Sequence, residues 1–183
     1  MNYNELSKEI SYALRHAPQE YGLTLDREGW VDTQQLLESL ITIGKWKNLC
    51  ELDLHKMIKL SSKQRHEIKG NKIRAYYGHS SSIQIKKDEK EPPEFLFHGT
   101  TKKAALSIMQ KGLKPQQRQY VHLSQDLGTA IEVGKRRENT PTILLVKAKD
   151  AFENGISFYS GNDRVWLSDE IPTQYIDIYK STT

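Results

Sequence analysis

Cysteine is nearly absent from the chain, and so are long apolar runs. Cys50 is the single cysteine, so neither an internal disulfide nor a thiolate zinc cluster can form, and we expect it to be a small buried residue. The longest apolar run, Thr142–Val146, is much shorter than the ~18 residues that a membrane helix needs. The first residues have neither a basic start nor a following apolar stretch, so no secretory signal is expected. These absences predict a cytoplasmic protein without a membrane span.

The composition is sufficient for a folded core. Of the 183 residues, 37% are hydrophobic and 27% are charged, which argues against disorder. This length allows one domain of ordinary size or two small ones. Residues 80–93 are polar and charged and end in two prolines, which is typical of a domain boundary. We therefore predict a domain over residues 1–85, a linker over 86–94 and a second domain over 95–183.

The net charge of +4 is spread thinly except in residues 56–74. This basic segment holds one acidic residue, Glu67, and seven basic ones: Lys56, Lys59, Lys63, Arg65, Lys69, Lys72 and Arg74. Such a segment can neutralise several phosphates and would make nucleic-acid binding strongly salt-dependent. A solvated basic face without any ligand explains the same composition equally well.

The first domain has the pattern of a winged helix. A helix with one apolar face precedes Pro18, a second begins at Asp32 and ends near Gly44, and a third covers residues 52–60. Extended runs follow over 65–69 and 73–77, with a turn at 70–71. Three helices and a hairpin would place the basic segment on the third helix and the wing, the surfaces that such domains offer to nucleic acid.

The second domain has the pattern of an α+β fold. Strand-like runs cover residues 95–98, 120–124, 142–148, 156–159, 165–167 and 175–179, and helical patterns fit twice, over 102–111 and near 126–137. Neither a G-x-G-x-x-G motif after a strand nor a P-loop motif occurs. Any nucleotide must therefore be held in another way.

Two strands carry side chains that suit a ligand. The first strand ends in His98-Gly99-Thr100, where the glycine would let backbone approach a ligand while the imidazole and hydroxyl bond a sugar. A structural histidine explains that motif as well. In the next strand, Val121 and Leu123 lie on one face, and the other face carries Tyr120, His122 and Ser124. By the same alternation Arg118 could share the polar face, although a solvated edge strand would alternate in the same way.

Short motifs along the chain, in a fixed order, give a specific resemblance. They include Leu6-Ser7-Lys8, Leu14-Arg15-His16, Gly29-Trp30-Val31, Lys63-Gln64-Arg65, Gly78-His79-Ser80, His98-Gly99-Thr100, Val121-His122-Leu123-Ser124 and Val165-Trp166-Leu167. Over nearly its whole length the sequence resembles the NAD-dependent RNA 2′-phosphotransferases, also called tRNA 2′-phosphotransferases. The resemblance implies a winged-helix RNA-binding lobe followed by an ADP-ribosyltransferase-like lobe that binds NAD.

The resemblance also implies a reaction in which NAD is consumed as co-substrate. Family members remove an internal 2′-phosphate from tRNA-like RNA. The phosphate attacks C1″ of the nicotinamide ribose and expels nicotinamide, which leaves a 2′-phospho-ADP-ribosylated RNA. Attack of the ribose 2″-hydroxyl on phosphorus then gives 2′-hydroxyl RNA and ADP-ribose 1″,2″-cyclic phosphate. The scheme requires no metal, and we expect no metal site.

The family's catalytic residues fall on Arg15, His16, Arg65 and Arg118. Guanidinium groups stay charged and bind a phosphate bidentately, so the arginines would position the phosphate and stabilise charge, while His16 would act as general acid in the second step. Adjacent helical residues point about 100° apart, so both Arg15 and His16 can reach one phosphate only if the helix unwinds before Pro18. A cation at a helix C-terminus also has a purely electrostatic explanation.

The same resemblance implies that five further residues contact NAD: His98, Gly99, Thr100, His122 and Ser124. Three departures from the family pattern leave substrate preference open: His66 replaces a common Phe, Tyr76-Tyr77 a common Asn-Gln, and Tyr120 a common His.

Two other functions fit parts of the pattern. One is an ADP-ribosyltransferase that modifies a nucleic-acid end or a protein and stops after the first step. The other is a non-enzymatic winged-helix nucleic-acid binder whose second lobe senses NAD. For each function we expect a monomer that does not bind membranes.

Overall fold

The computed structural model describes residues 1–82 and 84–180, so position 83 of the predicted boundary lies outside the described residues. The chain divides into two compact units, a first unit of residues 1–86 and a second unit of residues 87–183. The described residues form six α-helices and two antiparallel sheets, which confirms the α+β class. No helix among them is long and apolar enough to cross a bilayer.

The first unit contains three α-helices and three short strands. The helices are α1 (Tyr3–Arg15), α2 (Thr33–Thr42) and α3 (Glu51–Leu60), and the strands are β1 (Val31–Asp32), β2 (His66–Lys69) and β3 (Lys72–Ala75). The predicted helices and the β2–β3 hairpin are confirmed. Strand β1 was not predicted as part of the sheet, but it pairs with β3 and gives the order β1-β3-β2.

Side-chain caps explain where the helices of the first unit begin. The Asn2 side chain accepts hydrogen bonds from the Asn4 and Glu5 amides at the start of α1. Asp32 does the same for Gln34 and Gln35 at the start of α2, as its position predicted. The buried faces of α1 and α2 then pack into one core with α3 and the sheet, through Leu6, Ile10, Leu14, Leu36, Leu40, Leu54 and Ile73.

Two details of the first unit bear on the predictions. Helix α1 ends at Arg15, and by Ala17 the backbone has left the helical region with φ −138° and ψ 50°, so the unwinding before Pro18 that a shared phosphate would require is present. The expectation that Cys50 is buried is wrong. Cys50 is the exposed residue that precedes α3, and its amide donates to the Asp53 carboxylate at 3.1 Å to complete that helix start.

The second unit is built on a six-stranded sheet with three α-helices. The strands are β4 (Phe95–Thr100), β5 (Val121–Ser124), β6 (Thr142–Lys147), β7 (Phe158–Asn162), β8 (Val165–Ser168) and β9 (Ile176–Ile178), in the order β7-β8-β5-β4-β6-β9. The helices are α4 (Lys102–Lys111), α5 (Leu127–Gly134) and α6 (Ala148–Glu153). Their core includes Leu96, Leu123, Leu144, Val146, Phe158 and Trp166.

Sequence patterns gave α4 its observed bounds but missed α6 and displaced β7. Helix α6 has six residues, too few for a helical repeat to stand out, and it follows directly on β6. Strand β7 begins at Phe158 and runs through Ser160-Gly161, residues with weak strand preference, with an irregularity in its pairing between Ser160 and Asn162.

Candidate active site

Two of the predicted catalytic arginines contact each other in the first unit. The Arg15 guanidinium donates to the Arg65 carbonyl at 3.1 Å and lies 5.3 Å from the centre of the Tyr77 ring. The Arg65 carbonyl also accepts from the Tyr76 amide at 3.0 Å, and the Arg65 guanidinium donates to the hydroxyls of Ser7 and Ser61 at 3.4 and 3.5 Å. Residues 50 positions apart in sequence are thus held side by side at the end of α1 and the start of β2.

His16 joins this cluster through the segment that follows β3. Its Nδ1 and the Ser80 hydroxyl share a hydrogen bond of 2.7 Å, and the Arg15 carbonyl accepts from the Ser80 and Ser81 amides. The non-helical backbone after Arg15 makes room for these contacts. Arg15, His16 and Arg65 therefore form one group, which we call the Arg–His cluster.

His66 is a buried imidazole beside this cluster. Its Nε2 shares a hydrogen bond of 3.0 Å with the Ser11 hydroxyl. Burial, and then the positive charges of Arg15 and Arg65, lower the pKa of His66 from 6.5 to about 3. The residue is therefore neutral at pH 7, so it adds no positive charge beside Arg15 and Arg65.

This buried histidine predicts acid sensitivity. Because the folded-state pKa is depressed, the unfolded chain takes up a proton below pH 6.5 while the folded protein does not until about pH 3. The resulting loss in the free energy of unfolding is negligible above pH 7 and grows as the pH falls from 6.5 toward 3. It amounts to about 2 kcal/mol at pH 5. Between pH 7 and pH 5, both the parent and His66→Phe should lose some free energy of unfolding. We expect the loss in His66→Phe to be smaller by about 2 kcal/mol.

Urea denaturation at the two pH values measures this difference. His55→Phe is the matched control, because His55 is exposed on α3. Equal losses in the parent and His66→Phe would show that the folded protein protonates His66.

Arg118 belongs to the second unit and lies in a turn. Its amide donates to the Pro115 carbonyl at 3.0 Å, and β5 begins three residues later at Val121. Strand alternation therefore does not apply to Arg118, since it does not extend through a turn, and the placement of its side chain on the face of His122 stays a prediction. Partial desolvation lowers the pKa of its guanidinium below the ordinary value, yet arginine remains charged at neutral pH.

Part of the positive charge of the basic segment 56–74 is paired with carboxylates. On the hairpin, Arg74 pairs with Glu67 and with Glu28 and lies 4.3 Å from the centre of the Trp30 ring, and Lys72 pairs with Asp26. Carboxylates thus neutralise part of the predicted wing surface, whereas Lys56 and Lys59 are exposed on α3. The predicted basic surface of the wing is therefore partly neutralised at Lys72 and Arg74, although Lys72 remains exposed.

In the second unit, two of the predicted NAD contacts meet between β4 and β5. Within the described residues, β4 pairs with β5 at Phe97 and Ser124, whereas it pairs with β6 over all six of its residues. At the next residue of β4, the His98 side chain contacts β5: its Nδ1 donates to the His122 carbonyl at 3.0 Å. Desolvation lowers the pKa of His98, so the ring is neutral and its Nε2 is a hydrogen-bond acceptor.

The other predicted contacts lie on the same strands. Thr100 ends β4 and Ser124 ends β5, and both are buried hydroxyl residues. His122 Nδ1 donates to the Tyr120 carbonyl at 2.9 Å. These imidazoles and hydroxyls thus lie on two adjacent strands, where the Phe97–Ser124 pair places His98 and Thr100 on one face of the sheet and His122 and Ser124 on the other.

Helix packing explains the glycine at position 99, whereas we predicted that it lets the backbone approach a ligand. A Cβ at this position would lie 1.9 Å from the Ala130 carbonyl oxygen on α5. The glycine is required because helix α5 packs directly on β4, so its presence needs no ligand to explain it.

Sequence reasoning gave no role to Ser80 or Tyr77, which contact His16 and Arg15. The Gly78-His79-Ser80 motif was the available signal for Ser80. For Tyr77, the only available signal was that the residue departs from the family pattern. In residues 1–82 and 84–180, no three His, Cys, Asp or Glu side chains are arranged to hold a metal ion.

Comparisons with known proteins agree over nearly the whole chain. Residues 2–170 match the model of a family described as "RNA 2′-phosphotransferase, Tpt1 / KptA family". A protein of Acetivibrio thermocellus named "Probable RNA 2′-phosphotransferase" is 58% identical over 176 residues, which is 96% of this chain and 97% of that protein. Proteins of the same name from Bacillus thuringiensis subsp. konkukian and Flavobacterium johnsoniae are 52% and 41% identical, over 98% and 97% of this chain and 97% and 98% of their own lengths.

Proposed function

Because the chain belongs to the RNA 2′-phosphotransferase family, Tpt1 / KptA, we propose that it transfers an internal 2′-phosphate from RNA to NAD. In the first step, a bond between a 2′-phosphate oxygen and C1″ of the nicotinamide ribose replaces the bond to nicotinamide. In the second, the ribose 2″-hydroxyl loses its proton as its oxygen bonds to phosphorus, the bond from phosphorus to the RNA 2′-oxygen breaks, and that oxygen gains a proton. The products are nicotinamide, 2′-hydroxyl RNA and ADP-ribose 1″,2″-cyclic phosphate.

The Arg–His cluster is the observation that carries this proposal. Arg15 and Arg65 are in contact, with His16 adjacent, within the first unit. A phosphate monoester is close to a dianion at neutral pH, and guanidinium groups bind such a group through charge-assisted hydrogen bonds. We propose that Arg15 and Arg65 hold the 2′-phosphate, and that Arg118 supplies a third guanidinium, an assignment that rests on the sequence resemblance.

The two steps make different demands on these residues. Neutralising the phosphate lowers its nucleophilicity, so in the first step the arginines act mainly by orientation. In the second step charge accumulates around phosphorus, and fixed guanidinium charge stabilises it. The departing RNA 2′-oxygen needs a proton, which His16 donates, since an imidazolium is a suitable acid near neutral pH. Ser80 orients the His16 ring through Nδ1.

The residues of β4 and β5 suit NAD as co-substrate. NAD supplies an anomeric carbon whose leaving group is already cationic, so its departure needs no acid. We propose that the Nε2 of neutral His98 accepts from a ribose hydroxyl, and that Thr100, His122 and Ser124 provide further hydrogen bonds near Gly99. In this proposal the first unit is a winged-helix lobe that binds RNA, and the second is an ADP-ribosyltransferase-like lobe.

An oligoribonucleotide with one internal 2′-phosphate tests the function. We expect the phosphate to be lost when NAD is present and to stay when NAD is omitted, with one nicotinamide released per phosphate. The same oligonucleotide without the 2′-phosphate is the control and should release no nicotinamide. No loss at micromolar enzyme would refute the proposal. A stable ADP-ribosylated product would identify an ADP-ribosyltransferase instead, and nucleic-acid binding without NAD consumption would identify a non-enzymatic binder.

A further inference from the structure

A cavity of about 400 Å³ lies in the first unit, between the start of α1 and the end of α3. Its lining includes Tyr3, Asn4, Ser7, Met57, Leu60 and Ser61. We call this cavity the α1–α3 pocket. Its volume is within the range typical of small-ligand sites and is sufficient for one nucleoside.

The α1–α3 pocket reaches the Arg–His cluster. Ser7 and Ser61 both line it, and the Nη1 atom of Arg65 donates to their hydroxyls at 3.4 and 3.5 Å. A ligand in this pocket would therefore lie next to the guanidinium that we assign to the 2′-phosphate. A pocket this close to the Arg65 guanidinium suits a part of the substrate that neighbours the 2′-phosphate.

The lining suits a base with its sugar. The Tyr3 hydroxyl donates to the Asp53 carboxylate at 3.1 Å, which fixes an aromatic ring at the wall. Leu60 adds exposed apolar surface above the buried Met57, and Asn4 adds an amide that can both donate and accept. An aromatic ring, apolar surface and a few polar groups are the usual means of holding an unpaired base.

The charge around the α1–α3 pocket also suits a polyanion. Lys56 is exposed one helical turn before Leu60, and Lys59 immediately precedes it. The neighbouring carboxylate, Asp53, already accepts hydrogen bonds from Tyr3 and from the Cys50 amide. Exposed lysines on the helix that carries Leu60 can contact the phosphates on either side of a bound base.

We propose that the α1–α3 pocket binds the base of an RNA nucleotide that flanks the phosphorylated one. The inference rests on the proposed function and names a part of its substrate that the Arg–His cluster does not contact. It predicts that affinity for RNA depends on a base, and not only on the 2′-phosphate and the backbone charge.

The test combines base removal with substitution in the pocket. The substrates are hexanucleotides with one central 2′-phosphate, in which each flanking nucleotide in turn is replaced by an abasic one, so that length and charge stay constant. In the parent we expect one abasic position to raise KM by roughly 5- to 100-fold with kcat unchanged, because base–aromatic stacking contributes that much. In Tyr3→Leu, KM for the intact hexanucleotide should already be raised, and the same abasic position should have no further effect.

Two matched pairs serve as controls. Tyr3→Phe keeps the ring but loses the hydrogen bond to Asp53, so it should retain most of the abasic penalty that Tyr3→Leu loses. Leu60→Gln should raise KM about three- to tenfold, whereas Leu52→Gln should not, although both leucines are 67% exposed on the same helix. Thermal unfolding of each variant shows whether it folds as the parent does.

The outcomes separate this inference from the proposed function. A parent enzyme that leaves the intact hexanucleotide unchanged would refute the proposed function and this inference with it. A parent that removes the phosphate but tolerates every abasic position would overturn this inference alone. So would a Tyr3→Leu variant that keeps the full abasic penalty.

Discussion

Replacing Arg65 by alanine should reduce removal of the 2′-phosphate by at least about 10²- to 10³-fold, the loss typical of deleting one donor that stabilises transition-state charge. The guanidinium is the part of Arg65 that can bind the phosphate. The contacts that organise the backbone here go to its carbonyl, which accepts from Arg15 and from the Tyr76 amide. Alanine therefore removes the charge and retains those two hydrogen bonds. Single-turnover assays with NAD and the 2′-phosphorylated oligonucleotide measure the effect.

Two further variants separate charge from geometry at this position. Arg65→Lys keeps a positive charge but loses the planar pair of donors, so we expect it to recover only a small part of the activity. Arg27→Ala is the matched control, because Arg27 is an exposed arginine of the same unit outside the Arg–His cluster. Turnover by Arg65→Ala at the rate of the parent would show that Arg65 does not bind the reacting phosphate.

Replacing His16 by alanine should leave the ADP-ribosylated RNA intermediate to accumulate. A general acid typically contributes about 10²- to 10⁴-fold, and only the second step expels an oxygen that needs a proton. The decay of the intermediate should therefore slow by about that factor, while its formation slows much less. Rapid quenching followed by gel separation of the substrate, intermediate and product RNAs gives both rates.

The Ser80 contact and a distant histidine provide the comparisons for His16. Ser80→Ala removes the hydrogen bond to Nδ1 but keeps the imidazole, so decay of the intermediate should slow by a smaller factor than in His16→Ala. His55→Ala changes an exposed histidine on α3 and should match the parent. If His16→Ala slowed formation more than decay, the acid role in the second step would be wrong.

The sequence predicted those features that depend on residues close together in the chain. Pro18 indicated the end of the first helix, Asp32 indicated the start of the second, and apolar spacing identified α3 and α4. The motif order also predicted which residues form the Arg–His cluster, although Arg15 and Arg65 are 50 positions apart. In that case the resemblance supplied what local pattern could not.

Features that depend on distant packing could not be read from the sequence. Nothing near Gly99 indicates that the Ala130 carbonyl of α5 occupies the space of its missing side chain. His66 is one residue from Arg65, but its burial against Ser11 depends on how α1 crosses the hairpin. The pairing of β1 with β3 joins segments about 40 residues apart, and a strand of two residues carries no detectable period.

The fate of the phosphorus atom tests the central claim most directly. An oligoribonucleotide radiolabelled only at its internal 2′-phosphate should, after incubation with the enzyme and NAD, lose all label from the RNA. We predict that the label appears in ADP-ribose 1″,2″-cyclic phosphate, with one nicotinamide released for each RNA converted. Label recovered as inorganic phosphate, or released without NAD, would contradict transfer to NAD and would identify a hydrolytic phosphatase instead.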